Sequence, residues 1–349
     1  MKRIWSKRFG TLLTLLLVLG LCGCGGGGSQ SSATPGANGL EQSSITLASA
    51  RDPQLATVII CGIEEGFFAD EGLEVNLELF ASGGDLTAAI ASGDVPLGSA
   101  GDTPATILMA SDAGKYKFIA RQSDISGAQA MVVNPDVIAT PSDLNGKRIG
   151  YVSGNSSEAL WLRVVEEYDL DTSTMEIYRM GATELVTAFD RGELDAYVCW
   201  EPTILNGTKV GGMRFLSASK TYFNGVETDS KLMGAYAVLV GDASYIEQNP
   251  LTVQAVLRAM KASTDWIAAN PDAAAAHVAG TLSLEVEDVQ EMMRFNAYEL
   301  TIDDEMLEDM ASTAQFLLEA GKISAVPDFR ELADTQPLVS VDASLVNLE

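Results

Sequence analysis

Gln129-Ala130-Met131-Val132-Val133-Asn134-Pro135 is an unbroken apolar run stopped by a turn pair, and a second run, Ala235-Tyr236-Ala237-Val238-Leu239-Val240, follows far downstream. Each reads as a strand buried on both faces. Upstream of the first run, short apolar segments at 45–50, 73–80, 95–99 and 118–121 alternate with helical patterns near 53–65, 85–92 and 104–113. Between the two runs the alternation repeats, with strands at 148–152, 175–179, 196–200 and 213–216 and helices near 156–168, 183–191 and 202–205. Alternation of this kind is the pattern of strand-helix-strand units and mainly parallel sheets. Two such sets joined by two extended connectors predict an α/β protein of two lobes, 45–128 with 235–349 and 129–234. The chain crosses near Gln129 and returns near Ala235, and 243–321 reads as an almost wholly helical tail. Two crossing strands form a hinge, and closure about it traps a ligand at the carboxyl ends of the strands.

The amino-terminal segment has a different purpose. Lys2, Arg3, Lys7 and Arg8 precede an apolar run at 11–21 and then Leu21-Cys22-Gly23-Cys24, the layout of a lipoprotein export signal. The run is well short of the roughly 20 residues that a membrane-spanning helix needs. Residues 1–23 are therefore expected to be a signal peptide, with Cys24 carrying lipid and placing the protein outside the cytoplasm, on the outer face of the cell membrane or in the periplasm. The stretch 24–44, rich in Gly, Ser, Ala and Pro, reads as a flexible tether of about 25 Å reach.

Composition narrows the function. The formal net charge is -26, and the leader carries four basic residues and no acidic one, so the remaining chain stands at -30. Such a surface repels nucleic acid and anionic lipid. Two cysteines of the body, Cys61 and Cys199, lie far apart and read as buried free thiols. The single histidine, His277, sits in an Ala-rich helical pattern with no partner nearby in sequence. A Ser-His-Asp triad or a histidine zinc cluster has little to build on, and no bound cofactor or metal is expected.

Several pieces, in order along the chain, resemble one family. They are Gly66-Phe67-Phe68 with Glu71-Gly72-Leu73-Glu74-Val75, then 91–98 (ASGDVPLG), 143–149 (DLNGKRI), Gly192-Glu193-Leu194-Asp195-Ala196 with Trp200-Glu201-Pro202, and the tail pieces 313–317 and 321–323. Together they resemble the solute-binding proteins of ABC importers for taurine, alkanesulfonates and nitrate. That resemblance implies a type II periplasmic-binding-protein fold, a monomer partnered by a membrane permease with a cytosolic ATPase, and a small-molecule cargo. Within the family it points to the taurine branch.

Candidate binding residues lie where strands end and helices begin. Asn155 can cap a helix while Glu158 closes a capping box, leaving first-turn N–H groups and the Ser156 and Ser157 hydroxyls for the anionic end of a ligand. Thr103 fits a cap with Pro104 behind it, which aims Asp102 into the crevice or onto its own helix terminus. Ser82-Gly83 is a third such turn, where glycine allows close approach. Trp200 can wall off a short methylene chain and Glu201 can pair with an ammonium group. Gln129 and Tyr236, on the connectors, can reach the ligand from the hinge side. The acidic surface disfavours a bare anion at long range, so taurine or a related small sulfonate ranks first, then nitrate or bicarbonate, then thiamine-precursor pyrimidines.

Other classes fit less well. There is no Gly-x-x-x-x-Gly-Lys-Ser/Thr loop for ATP. A pyrimidine synthase of the same fold relies, by resemblance, on an active-site histidine and a cysteine-rich segment, and neither is matched here. A sensory ectodomain would share the same binding site.

Overall fold

The computed structural model describes residues 39–349, so the export signal, the Cys24 anchor and most of the tether lie outside the described residues. The end of the expected tether is docked rather than free. Leu40 is buried, and the Glu41 carboxylate accepts the Leu251 and Thr252 N–H groups at 3.1 and 2.8 Å. Those are first-turn donors of the helix Pro250–Ala269, which a carboxylate satisfies well.

Among the described residues, fourteen strands form two seven-stranded sheets. In chain order they are β1 (Ser44–Ala50), β2 (Glu74–Phe80), β3 (Leu97–Gly101), β4 (Tyr116–Asp124), β5 (Gln129–Val133), β6 (Arg148–Tyr151), β7 (Glu176–Arg179), β8 (Ala196–Trp200), β9 (Met213–Ser217), β10 (Lys220–Thr221), β11 (Thr228–Asp229), β12 (Tyr236–Asp242), β13 (Ala297–Asp303) and β14 (Val346–Asn347). The first sheet runs β14-β13-β4-β12-β3-β1-β2 and the second β11-β10-β9-β5-β8-β6-β7. The chain leaves the first sheet between β4 and β5 and returns between β11 and β12.

Both sheets are mixed. Pairs β1–β2, β1–β3, β6–β7 and β6–β8 are parallel, as strand-helix-strand units require. The two connectors depart from that pattern: β5 runs antiparallel to β8 and β9, and β12 antiparallel to β3 and β4. Each enters its sheet from the other half of the molecule, without a crossover helix to reverse its direction.

The tail is less helical than its sequence suggests. Helices Ala243–Gln248, Pro250–Ala269, Pro271–Leu282, Val286–Met293 and Asp304–Glu319 are broken by β13, which pairs antiparallel with β4. Leu300 and Ile302 enter the core of the first sheet. Arg121 on β4 lies 3.4 and 3.2 Å from Glu299 and Asp303, so cross-strand charge holds an acidic segment in the sheet.

Helices follow the parallel strands after short turns: Pro53–Glu64 after β1, Gly83–Ser92 after β2, and Ser156–Glu167 after β6. Their amino-terminal ends therefore gather on the edge where the two sheets face each other.

Candidate functional site

The turn Asp52-Pro53 supplies the first wall. Asp52 is extended and caps the helix Pro53–Glu64, its Oδ1 accepting the Leu55 N–H at 2.9 Å, with Pro53 at the first helical position. The Leu55 carbonyl accepts Ser99 Oγ at 2.7 Å and Gln122 Nε2 at 2.9 Å, so this first turn is held from below by β3 and β4. Burial pushes the Asp52 carboxyl up to about 6, opposed by the Leu55 and Gln54 N–H groups. Gln54, 2 % exposed, reaches across to the second half, where its Nε2 donates to the Glu201 carbonyl at 2.7 Å.

Gln129, at the start of β5, meets it. Gln129 Nε2 donates to Gln54 Oε1 at 2.9 Å, and Gln129 Oε1 accepts Ser156 Oγ at 2.6 Å. Ser156 opens the helix Ser156–Glu167, and its N–H has no carbonyl behind it among the described residues. Ser82 caps the helix Gly83–Ser92 through Oγ, which accepts the Asp85 N–H at 3.2 Å. Gly83 must lack a side chain, because a Cβ there would come within 2.9 Å of Pro104 Cγ.

These residues enclose a cavity of about 390 Å³ lined by Asp52, Gln54, Leu55, Ser82, Gly83, Gly101, Pro104, Ile125, Gln129, Asn155, Ser156 and Trp200. Much of that space is open to solvent, and the enclosed part is only about 40 Å³, room for a very small group. Four helix amino termini open on it, those of the helices beginning at Pro53, Gly83, Asp102 and Ser156, so N–H donors and the positive ends of helix dipoles face it. Among the described residues, no lysine, arginine or histidine lines it, and Asp52 is the one ionisable side chain that does.

Six residues singled out from sequence meet at this cavity: Ser82, Gly83, Gln129, Asn155, Ser156 and Trp200. Five do not. Glu201 is 1 % exposed and already committed, with Oε2 accepting the Leu205 N–H at 2.8 Å and Oε1 paired with Arg214. Burial raises its pKa, and the Arg214 charge opposes that. Ser157 is buried, its Oγ donating to the Val198 carbonyl and accepting the Val152 N–H. Tyr236 turns its hydroxyl to Asp309 at 2.6 Å. Asp102 accepts the Tyr236 N–H at 3.3 Å, and burial pushes its carboxyl up to about 7. Thr103 is not the cap of its helix, which begins at Asp102 with Gly101 at the cap position. As lining residues the sequence reading missed Asp52, Gln54, Leu55, Gly101, Pro104 and Ile125. Asp52-Pro53 carried a visible signal, a capping residue followed by proline.

The capping box also differs in detail. Asn155 occupies the cap position without capping, and its Nδ2 donates to the Ser153 carbonyl at 3.3 Å. Glu158 reaches one residue further back, accepting the Gly154 N–H at 2.7 Å and Ser153 Oγ at 3.0 Å.

A cavity between two mixed sheets, walled by helix starts, can be compared with known proteins. The "NMT1/THI5 like" family model matches residues 54–274, from Gln54 of the first wall through the whole second sheet. The chain belongs to the NMT1/THI5-like family. Among its relatives, the taurine-binding periplasmic protein of Escherichia coli K12 is 27% identical over 279 residues, covering 74% of the chain and 82% of the relative. A putative aliphatic sulfonates-binding protein of Bacillus subtilis 168 is 24% identical over 309 residues, covering 86% and 90%. The crystal structure of the periplasmic aliphatic sulphonate binding protein SsuA from Escherichia coli superposes with a TM-score of 0.72 at 18% identity, over 83% of this chain and 92% of that one. The chain thus has the type II periplasmic-binding-protein fold. Its Cys61 and Cys199 are buried free thiols pushed up to about 12 by burial. His277 pairs with Glu65 at 2.7 Å on the surface of the helical tail. No helix among the described residues is long and apolar enough to cross a membrane.

Proposed function

We propose that this protein is the extracytoplasmic solute-binding component of an ABC importer and captures a small sulfonate, taurine or a related alkanesulfonate, between two lobes. The observation that carries this reading is the convergence of the helices beginning at Pro53, Gly83, Asp102 and Ser156 on one small cavity without a cationic side chain among the described residues. Such a site binds a compact oxyanion through N–H donors. Trp200, Leu55 and Ile125 supply apolar wall for a short carbon chain. The lobes are 45–128 with 235–349 and 129–234, and closure about the β4–β5 and β11–β12 passages traps the solute.

Among the described residues the lining contains no cysteine or histidine, which supports capture over turnover. Lipid on Cys24 anchors the protein on the outer face of the membrane, beside a permease driven by a cytosolic ATPase. The protein acts as a monomer, and its acidic surface excludes nucleic acid as a partner.

A thermal-shift panel of taurine, ethanesulfonate, nitrate, bicarbonate and a thiamine-precursor pyrimidine tests the reading. Ligand at about 1,000 times its dissociation constant stabilises the native state by about 4 kcal/mol. Sulfonates are expected to raise Tm while the others leave it unchanged. Stabilisation by nitrate or the pyrimidine alone would refute the sulfonate assignment.

A further inference from the structure

The hydrogen bonds around the cavity have a fixed direction. The Glu201 carbonyl is an acceptor only, so the Gln54 side chain must present its NH₂ there, at 2.7 Å. That leaves Gln54 Oε1 to face Gln129, which must therefore present its own NH₂, at 2.9 Å. Gln129 Oε1 then faces Ser156 Oγ at 2.6 Å, and the serine must donate its proton away from the cavity. A hydroxyl has one proton to give, so Ser156 Oγ can offer a ligand only lone pairs. The remaining polar side chain of note is Asp52, a carboxylate with one oxygen bonded to the Leu55 N–H and the only ionisable group on the lining.

Asp52 and Ser156 Oγ offer lone pairs to the cavity, while the backbone at the helix starts offers N–H donors. The cavity is polarised within itself, with N–H groups for an oxyanion and a carboxylate plus a serine lone pair for a group rich in N–H. We infer that the site selects a ligand carrying a protonated amine beside its sulfonate, received by Asp52 and Ser156 Oγ, and discriminates against sulfonates lacking that amine. This rests on the sulfonate-capture reading and deepens it. A plain alkanesulfonate would leave the Asp52 charge desolvated and unpaired, which is costly in a buried site. Electrostatic selection thus comes from one carboxylate, and the Gln54–Gln129 amide pair is a positioning device that sets the polarity of Ser156.

Calorimetry on the purified protein with three probes tests this: taurine, its N,N,N-trimethyl derivative, which keeps the positive charge without N–H donors, and ethanesulfonate. Taurine is expected to bind about 10- to 100-fold tighter than either, the range of a charge-assisted hydrogen bond. Asp52→Asn should bring taurine and ethanesulfonate together, and Ser156→Ala should weaken taurine more than ethanesulfonate. Equal wild-type affinity for taurine and ethanesulfonate overturns the amine selection while leaving sulfonate capture intact. Equal loss for both ligands in Ser156→Ala assigns the hydroxyl to the sulfonate and also overturns it. Binding of none of the three removes the sulfonate reading itself.

Discussion

Gln54 Nε2 and the Glu201 carbonyl oxygen lie 2.7 Å apart, although 147 residues separate them in the chain. The bond ties a helix of the first half directly to the strand end that forms the floor of the second. On the proposed function, closure and ligand polarity would depend on the same amide.

Replacing Gln54 with Ala should weaken taurine binding by about 5- to 30-fold, because the Glu201 carbonyl and the Gln129 amide both lose a partner in a buried place. Small-angle scattering of the ligand-saturated variant should show a more open molecule than wild type. An unchanged dissociation constant would mean that the amide is a bystander.

Asp52→Asn separates stability from binding. Asparagine caps helices as well as aspartate does, so the substitution keeps the cap and removes a buried charge. The folded-state pKa of Asp52 is raised from 3.8 to about 6, so between those values the native state holds the proton more tightly than the unfolded chain. Stability of the unliganded wild type therefore falls as pH rises through that window, by up to about 3 kcal/mol at 1.36 kcal/mol per unit. The variant should match wild type near pH 4 and exceed it in urea midpoint at pH 8. Taurine affinity of the wild type should move the other way, declining as pH drops below about 6. A variant less stable than wild type at pH 8 would contradict this account of the carboxylate.

Glu201→Gln should act on folding and not on ligand choice. Arg214, with its side chain 11% exposed, would lose its buried carboxylate, and breaking such a pair costs about 3–5 kcal/mol. Urea unfolding should show that loss, while taurine and ethanesulfonate affinities change in equal proportion. A selective loss of taurine would return Glu201 to the ligand.

Cys24→Ser should shift the expressed protein from washed membranes to the soluble fraction. Retention in the membranes would eliminate the lipid anchor.

Much of the architecture was legible because strand and helix periods are local. The connector at Gln129–Val133 and the strand Ala196–Trp200 have the bounds that their apolar runs predict. β13 escaped notice because its core-facing residues, Leu300 and Ile302, are too few to impose a period of two on an acidic segment flanked by helices. What makes it a strand is β4 alongside, with Arg121 drawing Glu299 and Asp303.

The chain by itself determined where strands end and helices begin, and hence that several dipole-bearing turns would line one edge, since caps and hydrophobic periods act over a few residues. Which acidic side chain lines the cavity was decided only by tertiary structure. Asp102 and Glu201 sit in turns as plausible as that of Asp52, yet Asp102 meets the Tyr236 N–H, 134 residues away, and Glu201 meets Arg214. A buried carboxylate points to the donors that folding brings near it, and those donors come from distant parts of the chain.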